Sequence, residues 1–205
     1  MRLHNMLLAG ALVLLCARTT NAAPPKMGVM VDFVNGISIP IADSDYKNFA
    51  DPAYKLGLRG GVVFYVLPNF GIAPEGEFDF IPMNSNDATF QRNSLDAQFY
   101  RERALLGARF IVPFGIGSFY LRAMFGVDHI GGTVAVSVAG ARFSTDYSST
   151  GFTFEPGAGV QFNIVKHVVI GFTTGFPIAT HDFGSNKPHF TAVDVDFLAV
   201  VGFRL

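Results

Sequence analysis

The stretch Phe190 to Leu205 reads FTAVDVDFLAVVGFRL and alternates in polarity. Counted back from its end, every second side chain is apolar: Leu205, Phe203, Val201, Ala199, Phe197, Val195 and Val193. The other set mixes apolar residues with the charged Arg204, Asp196 and Asp194. Since side chains alternate between faces along a β-strand, the stretch predicts a strand with one apolar and one partly charged face. It exceeds the ~5–6 residues usual in soluble domains and suits a tilted strand across a bilayer, which needs ~9–11 residues.

The N-terminal segment has the composition of a secretory signal peptide. Arg2 and His4 precede an apolar run over 6–17 that is too short to span a membrane as a helix. Thr20-Asn21-Ala22 supplies the small residues expected before a cleavage site. We therefore predict a signal peptide over 1–22 and a β-barrel domain over 23–205. Cys16 is the only cysteine and would leave with the signal, so we expect no disulfide and no Cys-type metal site in the remainder.

The composition excludes two broad classes. Half of the residues are hydrophobic, yet no apolar run beyond the signal reaches the ~18 residues of a helical membrane span. The hydrophobicity must therefore lie in alternation, which is typical of a transmembrane β-barrel. Without Arg2 and Arg18, 13 basic residues remain against 16 acidic ones. This balance gives no electrostatic footprint for binding a nucleic acid.

Eight segments of the chain show strand-like alternation. The predicted strands cover residues 27–41, 54–67, 72–82, 101–112, 118–128, 152–164, 168–180 and 190–205. Short turns alternate with longer polar segments, which we interpret as external loops over 42–53, 83–100, 129–151 and 180–189. An even strand number with alternating short and long connections is typical of bacterial outer-membrane barrels. The prediction is an all-β fold: an eight-stranded antiparallel up-and-down transmembrane β-barrel, present as a monomer.

Two features depart from this simple pattern. Pro74, Pro156 and Pro177 lie inside predicted strands, and proline removes a hydrogen-bond donor from the ladder, so we expect bulges or strand ends there. Beyond residue 128 the alternation slips at Gly131-Gly132 and then resumes. Strands five and six are therefore alternatively predicted to continue as a hairpin above the membrane, with a turn at 139–141.

The phase of the strands assigns charged side chains to the lumen. Folding about the turn at 114–117 places Arg103 opposite Asp128 and Arg109 opposite Arg122. The predicted lumen charge network consists of Arg59, Glu75, Glu77, Asp79, Arg103, Arg109, Arg122, Asp128, Glu155, Asp194 and Asp196. Asp32, Lys55 and Arg204 lie on the same face. Side chains about fill the interior of an eight-stranded barrel, and isolated charges there are costly, so these residues are expected to pair into a structural plug. The alternative is a gate, in which Arg109 and Arg122 switch partners between Glu75 and Glu77 and open a narrow pore.

With its signal peptide, eight alternating segments and C-terminal LAVVGFRL, the chain resembles the OmpA/OmpX-like family of eight-stranded outer-membrane barrels. Apolar residues at the last, third-last and fifth-last positions resemble the assembly signal of that family, although the chain ends in Leu205, with the aromatic Phe203 two positions earlier. The resemblance implies location in the bacterial outer membrane among lipid and lipopolysaccharide. It further implies recognition of the last strand by the barrel assembly machinery, and a structural or adhesive role in which external loops meet a surface partner. It implies no cofactor and no catalysis.

Three rival functions remain open at this point. The first is a small, low-conductance pore, and the second is a soluble ligand-binding barrel with apolar residues inside and polar ones outside. The third is a lipid-modifying outer-membrane enzyme, for which His181-Asp182 with Ser185 offers the residue types of a hydrolase site. The histidines lack ligand spacing, so we interpret them as solvated loop or turn residues and predict no metal site. They are His129, His167, His181 and His189.

Overall fold

The computed structural model of the protein describes residues 27–42, 50–84, 95–138, 141–182 and 189–205. The predicted signal peptide over 1–22, its cleavage site and Ser185 lie outside these ranges. The described strands are β1 (Met27–Ala42), β2 (Ala53–Leu67), β3 (Phe70–Asn84), β4 (Leu95–Phe114), β5 (Gly117–Val138), β6 (Ala141–Val165), β7 (Val168–Gly175), β8 (Ile178–Asp182) and β9 (His189–Arg204). Within the described ranges, no helix is long and apolar enough to cross a membrane.

The strands form a closed antiparallel ring. Each strand from β1 to β6 pairs with the next one along the chain, and β9 returns to pair with β1. β7 and β8 both lie between β6 and β9 and keep one register on either side of a break at Phe176-Pro177. They are two halves of one strand, so the ring has eight strands. The predicted all-β up-and-down barrel is confirmed.

Apolar side chains point outward and charged ones inward. Leu106, Leu121 and Phe152 are 73%, 64% and 63% exposed, whereas Arg103 and Arg109 are fully buried. A barrel that dissolves in water and binds an apolar ligand needs the opposite facing. The soluble ligand-binding alternative is therefore wrong, and the outer surface is one that lipid can cover.

The prolines behave differently from one another. Pro177 lies at the break between β7 and β8, as the strand-end prediction required. Pro74 and Pro156 lie inside β3 and β6 and pair with β4 and β5 in continuous register, so the prediction of a bulge or strand end is wrong at these two residues. The Pro156 carbonyl still accepts a hydrogen bond of 2.9 Å from the amide of Phe176. Pro156 thus lacks a backbone N–H donor, but its carbonyl oxygen still accepts a hydrogen bond in the ladder.

The strands β4, β5 and β6 continue far beyond the predicted loop boundaries. β5 runs to Val138 and pairs there with Ala141 at the start of β6, while β4 begins at Leu95 and pairs with Val136. Most of the predicted loop over 129–151 is therefore the hairpin of the alternative prediction, and residues 95–100 of the loop predicted over 83–100 are strand. The glycines that interrupt the alternation lie under aromatic rings: a side chain on Gly131 would collide with the ring of Tyr100.

Candidate functional site: the charged lumen and the outer hairpin

The structure places all eleven predicted lumen residues inside the barrel, each at most 4% exposed. They are Arg59, Glu75, Glu77, Asp79, Arg103, Arg109, Arg122, Asp128, Glu155, Asp194 and Asp196. Asp32, Lys55 and Arg101 are equally buried. Because successive strands tilt around the ring, these side chains converge from several strands on one column.

The centre of the column is built around shared carboxylates. The Lys55 Nζ atom lies 2.7 Å from Asp79 Oδ2 and 2.8 Å from Asp196 Oδ2. Arg103 approaches the same Asp196 oxygen through Nη2 at 3.2 Å and Glu155 Oε2 through Nη1 at 3.2 Å. Each cation serves two carboxylates, so the charges compensate one another as a network.

A second group lies beside the first. Arg59 Nε contacts Glu77 Oε2 at 2.9 Å, and Arg122 Nη2 contacts both Glu77 and Glu155, the latter at 2.9 Å. Glu155 therefore joins this group to the central one through its other oxygen. The shared carboxylates link strands that lie far apart in the chain.

A third group lies towards the short turns. Arg109 contacts Asp32 at 2.9 Å and Glu75 at 2.6 Å, and its guanidinium carbon lies 4.5 Å from the centre of the Tyr120 ring. Arg204 reaches the other oxygen of Asp32 at 2.6 Å. Of the residues in the predicted gate, Arg109 thus holds Glu75, and Arg122 holds Glu77.

A fourth group, towards the hairpin, contains two residues that the sequence interpretation missed. Arg101 contacts Asp128 through Nε at 2.7 Å and Asp194 through Nη1 at 2.5 Å. Arg103 is the register partner of Asp128, as predicted, but Arg101 is the arginine that pairs with it. Arg101 was the first residue of predicted strand four, and the inward phase of Arg103 would have identified it.

His181 also belongs to this group, so its interpretation as a solvated loop residue was wrong. The ring is buried, and its Nε2 atom lies 3.7 Å from Asp128 Oδ1. The reason is that β8 extends to Asp182 and carries residue 181 on its inner face. His129 and His167 do lie at the surface, where their Nδ1 atoms contact Thr150 Oγ1 and the Arg204 carbonyl. Among the described residues, no group of three or more His, Asp or Glu side chains is arranged to hold a metal ion.

Apolar clusters lie at both ends of the charged column. The upper cluster, beside Arg101 and the hairpin, comprises Ala50, Ala53, Ile81, Met83, Phe99, Ile130, Ala179 and Ala192. Val134 and Tyr147 of the hairpin pack against it. The lower cluster, near the short turns, comprises Met30, Val63, Ala73, Ile111 and Tyr120. Apart from Arg204, whose side chain is 23% exposed at the lower end, the charges thus lie between these two apolar clusters.

The outer hairpin is formed by residues 129–138 of β5 and 141–150 of β6. It is attached to the barrel on its other side by Ser149, whose Oγ atom donates to the Asp182 carbonyl at 2.9 Å and accepts from the Asp182 amide at 3.1 Å. Beyond Ser149 most side chains of β6 are exposed, including Phe143 at 61%. Asp146 accepts a hydrogen bond of 2.8 Å from Thr133 Oγ1 on β5. The hairpin therefore presents a paired, polar surface with one large apolar side chain near its tip.

Comparison with known proteins gives one family and several barrels of similar fold. The sequence pattern of the family described as outer membrane protein beta-barrel domain matches residues 7–198. The crystal structure of Ail, the attachment invasion locus protein of Yersinia pestis, has 15% identity and a TM-score of 0.51, covering 89% of this chain and all of that one. Ail in complex with the heparin analogue sucrose octasulfate has 16% identity and a TM-score of 0.50, with 87% and 98% covered.

A major outer membrane protein of Thermus thermophilus has 8% identity and a TM-score of 0.51, with 87% of this chain and 99% of that chain covered. No curated protein matches the chain. At such low identities the solved structures establish a common fold, and nothing finer.

Proposed function

We propose a surface-binding role for this chain, which belongs to the outer membrane protein β-barrel domain family and lies in the bacterial outer membrane. In this role the barrel is a non-catalytic anchor, and the outer hairpin is the part that meets a partner. The observation that carries the proposal is the continuation of β5 and β6 as a paired hairpin beyond the lipid-facing belt.

The chemistry of the hairpin supports this role. Ser144, Thr145 and Asp146 are exposed and polar, and Phe143 is an exposed apolar side chain close to them. A large apolar side chain surrounded by polar ones is a common feature of binding surfaces. Because each residue of the hairpin pairs across to the other strand, the surface is held in one shape and little ordering is needed on binding.

The lumen supports an anchor rather than a transport role. We propose that the barrel is largely plugged, because its buried cations and carboxylates pair within a column that apolar side chains enclose at both ends. An ion that entered would have to displace these pairs and pass two apolar layers. The gate formed by Arg109, Arg122, Glu75 and Glu77 is the second candidate, since both arginines contact one of these glutamates and are register neighbours.

We propose outer-membrane lipid and lipopolysaccharide as the surroundings of the belt, and the barrel assembly machinery as the partner of β9 during insertion. The chain would act as a monomer within its own membrane. For the outer hairpin, a sulfated polysaccharide is the first ligand to test, because the similar barrel of Ail was solved with a heparin analogue.

The test is a shortened hairpin. Residues 132–147 are replaced by Asn-Gly, which joins the register partners Gly131 and Ser148 through a tight turn. Cells that display this variant should lose binding to immobilised heparin and to host-cell surfaces. Ile116→Ser, in a short turn at the opposite end of the barrel, is the matched control and should bind as the wild type does. Full binding by the shortened variant would contradict the proposal.

A further inference from the structure

Glu102 and His129 form a cross-strand pair on the outer face of the barrel, at the edge of the lipid-facing belt that lies towards the outer hairpin. Their chain neighbours Arg101, Arg103 and Asp128 are buried in the lumen, so alternation along the strands turns the pair outward. The two residues are direct register partners on β4 and β5, which brings their Cβ atoms to within ~4.5–5.5 Å of each other. A carboxylate and an imidazole therefore share one small patch of the surface, and both are partly exposed.

The imidazole ring of His129 is held in one orientation by a neighbouring strand. Thr150 is the register partner of His129 on β6, and its Oγ1 atom lies 2.8 Å from His129 Nδ1. When the Nδ1–H group donates to this hydroxyl, the lone pair that a ligand can use is the one on Nε2. Histidines that bind metal ions are commonly fixed through their other ring nitrogen in this way. The contact with Thr150 therefore prepares Nε2 to act as a ligand.

Aromatic side chains place the pair at the boundary between membrane and water. Phe80 is the register partner of Glu102 on β3, and the centre of its ring lies 6.4 Å from that of Tyr100. The ring of Tyr100 lies in turn 6.2 Å from that of His129. Both Phe80 and Tyr100 are 39% exposed, as expected of the aromatic girdles that mark the interface of outer-membrane barrels. The carboxylate of Glu102 is therefore at the height of the lipid headgroups.

A carboxylate at this height meets anionic neighbours. The surroundings proposed for the belt include lipopolysaccharide, whose headgroups carry phosphate, and phosphate repels a bare carboxylate. A divalent cation between the two groups replaces this repulsion by attraction to both. Carboxylate oxygen and imidazole nitrogen together are typical ligands of Zn²⁺, with bonds of ~2.0–2.2 Å, and its tetrahedral geometry leaves room for further oxygen ligands. The chemistry of the pair thus suits zinc that is shared with a phosphate.

We propose that Glu102 and His129 bind a zinc ion together with a phosphate group of lipopolysaccharide. Glu102 supplies a carboxylate oxygen, His129 supplies Nε2, and Thr150 is a positioning residue that orients the ring. Phosphate oxygens and water complete the coordination, so two protein ligands suffice. Because His129 is the first residue of the outer hairpin, the ion ties the base of the hairpin to the lipid surface. The inference rests on the lipopolysaccharide surroundings of the proposed function, and it does not depend on what the hairpin binds.

Zinc titration tests the two ligands. Zinc chloride is added to the folded protein in nanodiscs that contain lipopolysaccharide, and the imidazole NMR signals of each histidine are followed. His129 should respond at a zinc concentration about tenfold or more below that needed at His167. His167 is the matched control, because its Nδ1 atom also has an oxygen partner, at 2.7 Å, but it lies in the short turn between β6 and β7. Equal responses of the two histidines, or an unchanged response of His129 after Glu102→Gln, would overturn the proposal.

Two substitutions of Thr150 test its positioning role. Thr150→Val removes the hydroxyl and should weaken zinc binding at His129 by about tenfold, the usual effect of losing a residue that orients a metal ligand. Thr150→Ser keeps the hydroxyl and should bind zinc as the wild type does. Equal zinc affinities of the two variants would show that the hydroxyl does not orient the ring.

The lipid composition tests the phosphate. Nanodiscs made with dephosphorylated lipopolysaccharide should bind zinc at His129 about tenfold more weakly than nanodiscs made with the intact lipid, because one ligand of the ion is lost. Equal affinity in the two lipids would overturn the shared site. If zinc binding fails in both lipids while heparin binding still depends on the intact hairpin, the proposed function stands and only the zinc site is lost.

Discussion

Asp196 forms ion pairs with both Lys55 and Arg103. Because partners are shared in this way, replacing one lumen residue disturbs more than one ion pair. Removing one partner of a buried ion pair leaves the other charge uncompensated, which costs much more than the pair itself contributes. Here the loss of one cation would leave two or more buried carboxylates to repel one another.

Arg103→Ala should therefore destabilise the barrel by ~3–5 kcal/mol, since it leaves Glu155 and Asp196 with fewer counter-charges. The measurement is the free energy of unfolding in urea, in detergent micelles or lipid vesicles. Arg142→Ala removes the same side chain from the exposed hairpin and should change this free energy little. Equal effects of the two substitutions would contradict a structural role for the lumen network.

Two glycines of β2 offer a second comparison at this scale. A Cβ atom on Gly57 would collide with Asp79 Oδ1 in the lumen, whereas one on Gly60 would meet open space on the outer face. Gly57→Ala should cost ~1–3 kcal/mol through overpacking, and Gly60→Ala should be close to neutral. Urea titration of both variants checks this. A neutral Gly57→Ala would show that the Asp79 carboxylate has room to move.

The inward facing of the charged residues could be predicted from the sequence because it follows from the two-residue period of a strand. Their partners could not. Arg103 lies opposite Asp128 in the backbone register, but the pair forms between Asp128 and Arg101. The Arg101 side chain is long enough to reach past its own register partner, Ile130, to Asp128, the next inward-facing residue of β5. The packing of side chains from several strands therefore decides which arginine pairs with which carboxylate.

At the scale of elements, β6 combines three roles along 25 residues: lipid contact, lumen wall and outer hairpin. The boundary between barrel and hairpin is held by Ser149 through its two contacts with Asp182. A serine hydroxyl here replaces the backbone pairing that would otherwise continue.

Ser149→Ala should release this attachment and cost about 1 kcal/mol, the usual contribution of such a hydrogen bond. The expected result is faster amide hydrogen exchange at Asp182, because its amide loses its acceptor. Ser148→Ala is the matched control, since that neighbouring side chain is exposed. Exchange that is unchanged at Asp182 would show that the hydroxyl does not hold the boundary.

The elements also show where sequence patterns fail. The polarity alternation slips at Gly131-Gly132, yet these glycines fit beneath Tyr100 and Phe99 within a continuous strand. Pro156 remains in a paired strand because only its carbonyl is needed at that position. In both cases the deciding contact comes from a neighbouring strand, and the local sequence does not contain it.

For the whole molecule, closure of the ring leaves the strands of the barrel paired on both sides, and this closure can be measured by resistance to SDS. The folded protein should resist unfolding by SDS until it is boiled, and should then change its mobility on a gel. A chain that lacks residues 190–205 cannot pair β1 with β9 and should show no such shift. Identical mobility of the intact protein before and after boiling would contradict a closed barrel.

Electrical recordings address the plugged lumen. The wild-type protein should give no steady conductance in planar bilayers, whereas Glu77→Ala combined with Arg122→Ala should give small, frequent openings because one contact of the second charged group is removed. Arg142→Ala with Asp146→Ala also removes one charge of each sign, but outside the lumen, and should stay silent. Steady conductance of the wild-type protein would favour the gate over the plug.

The pairing of β1 with β9 joins residue 31 to residue 203. The first described strand can therefore complete its pairing only after the last strand is available. The ring cannot close while the chain is still emerging from the inner membrane, whatever the local preference of its hairpins. Contacts this far apart in sequence form slowly. Between export and insertion, the chain must travel through the periplasm with its lipid-facing phenylalanines uncovered. We therefore expect the chain to need holding chaperones for that interval, and a cell short of them should lose this protein before it loses barrels whose strands are less apolar.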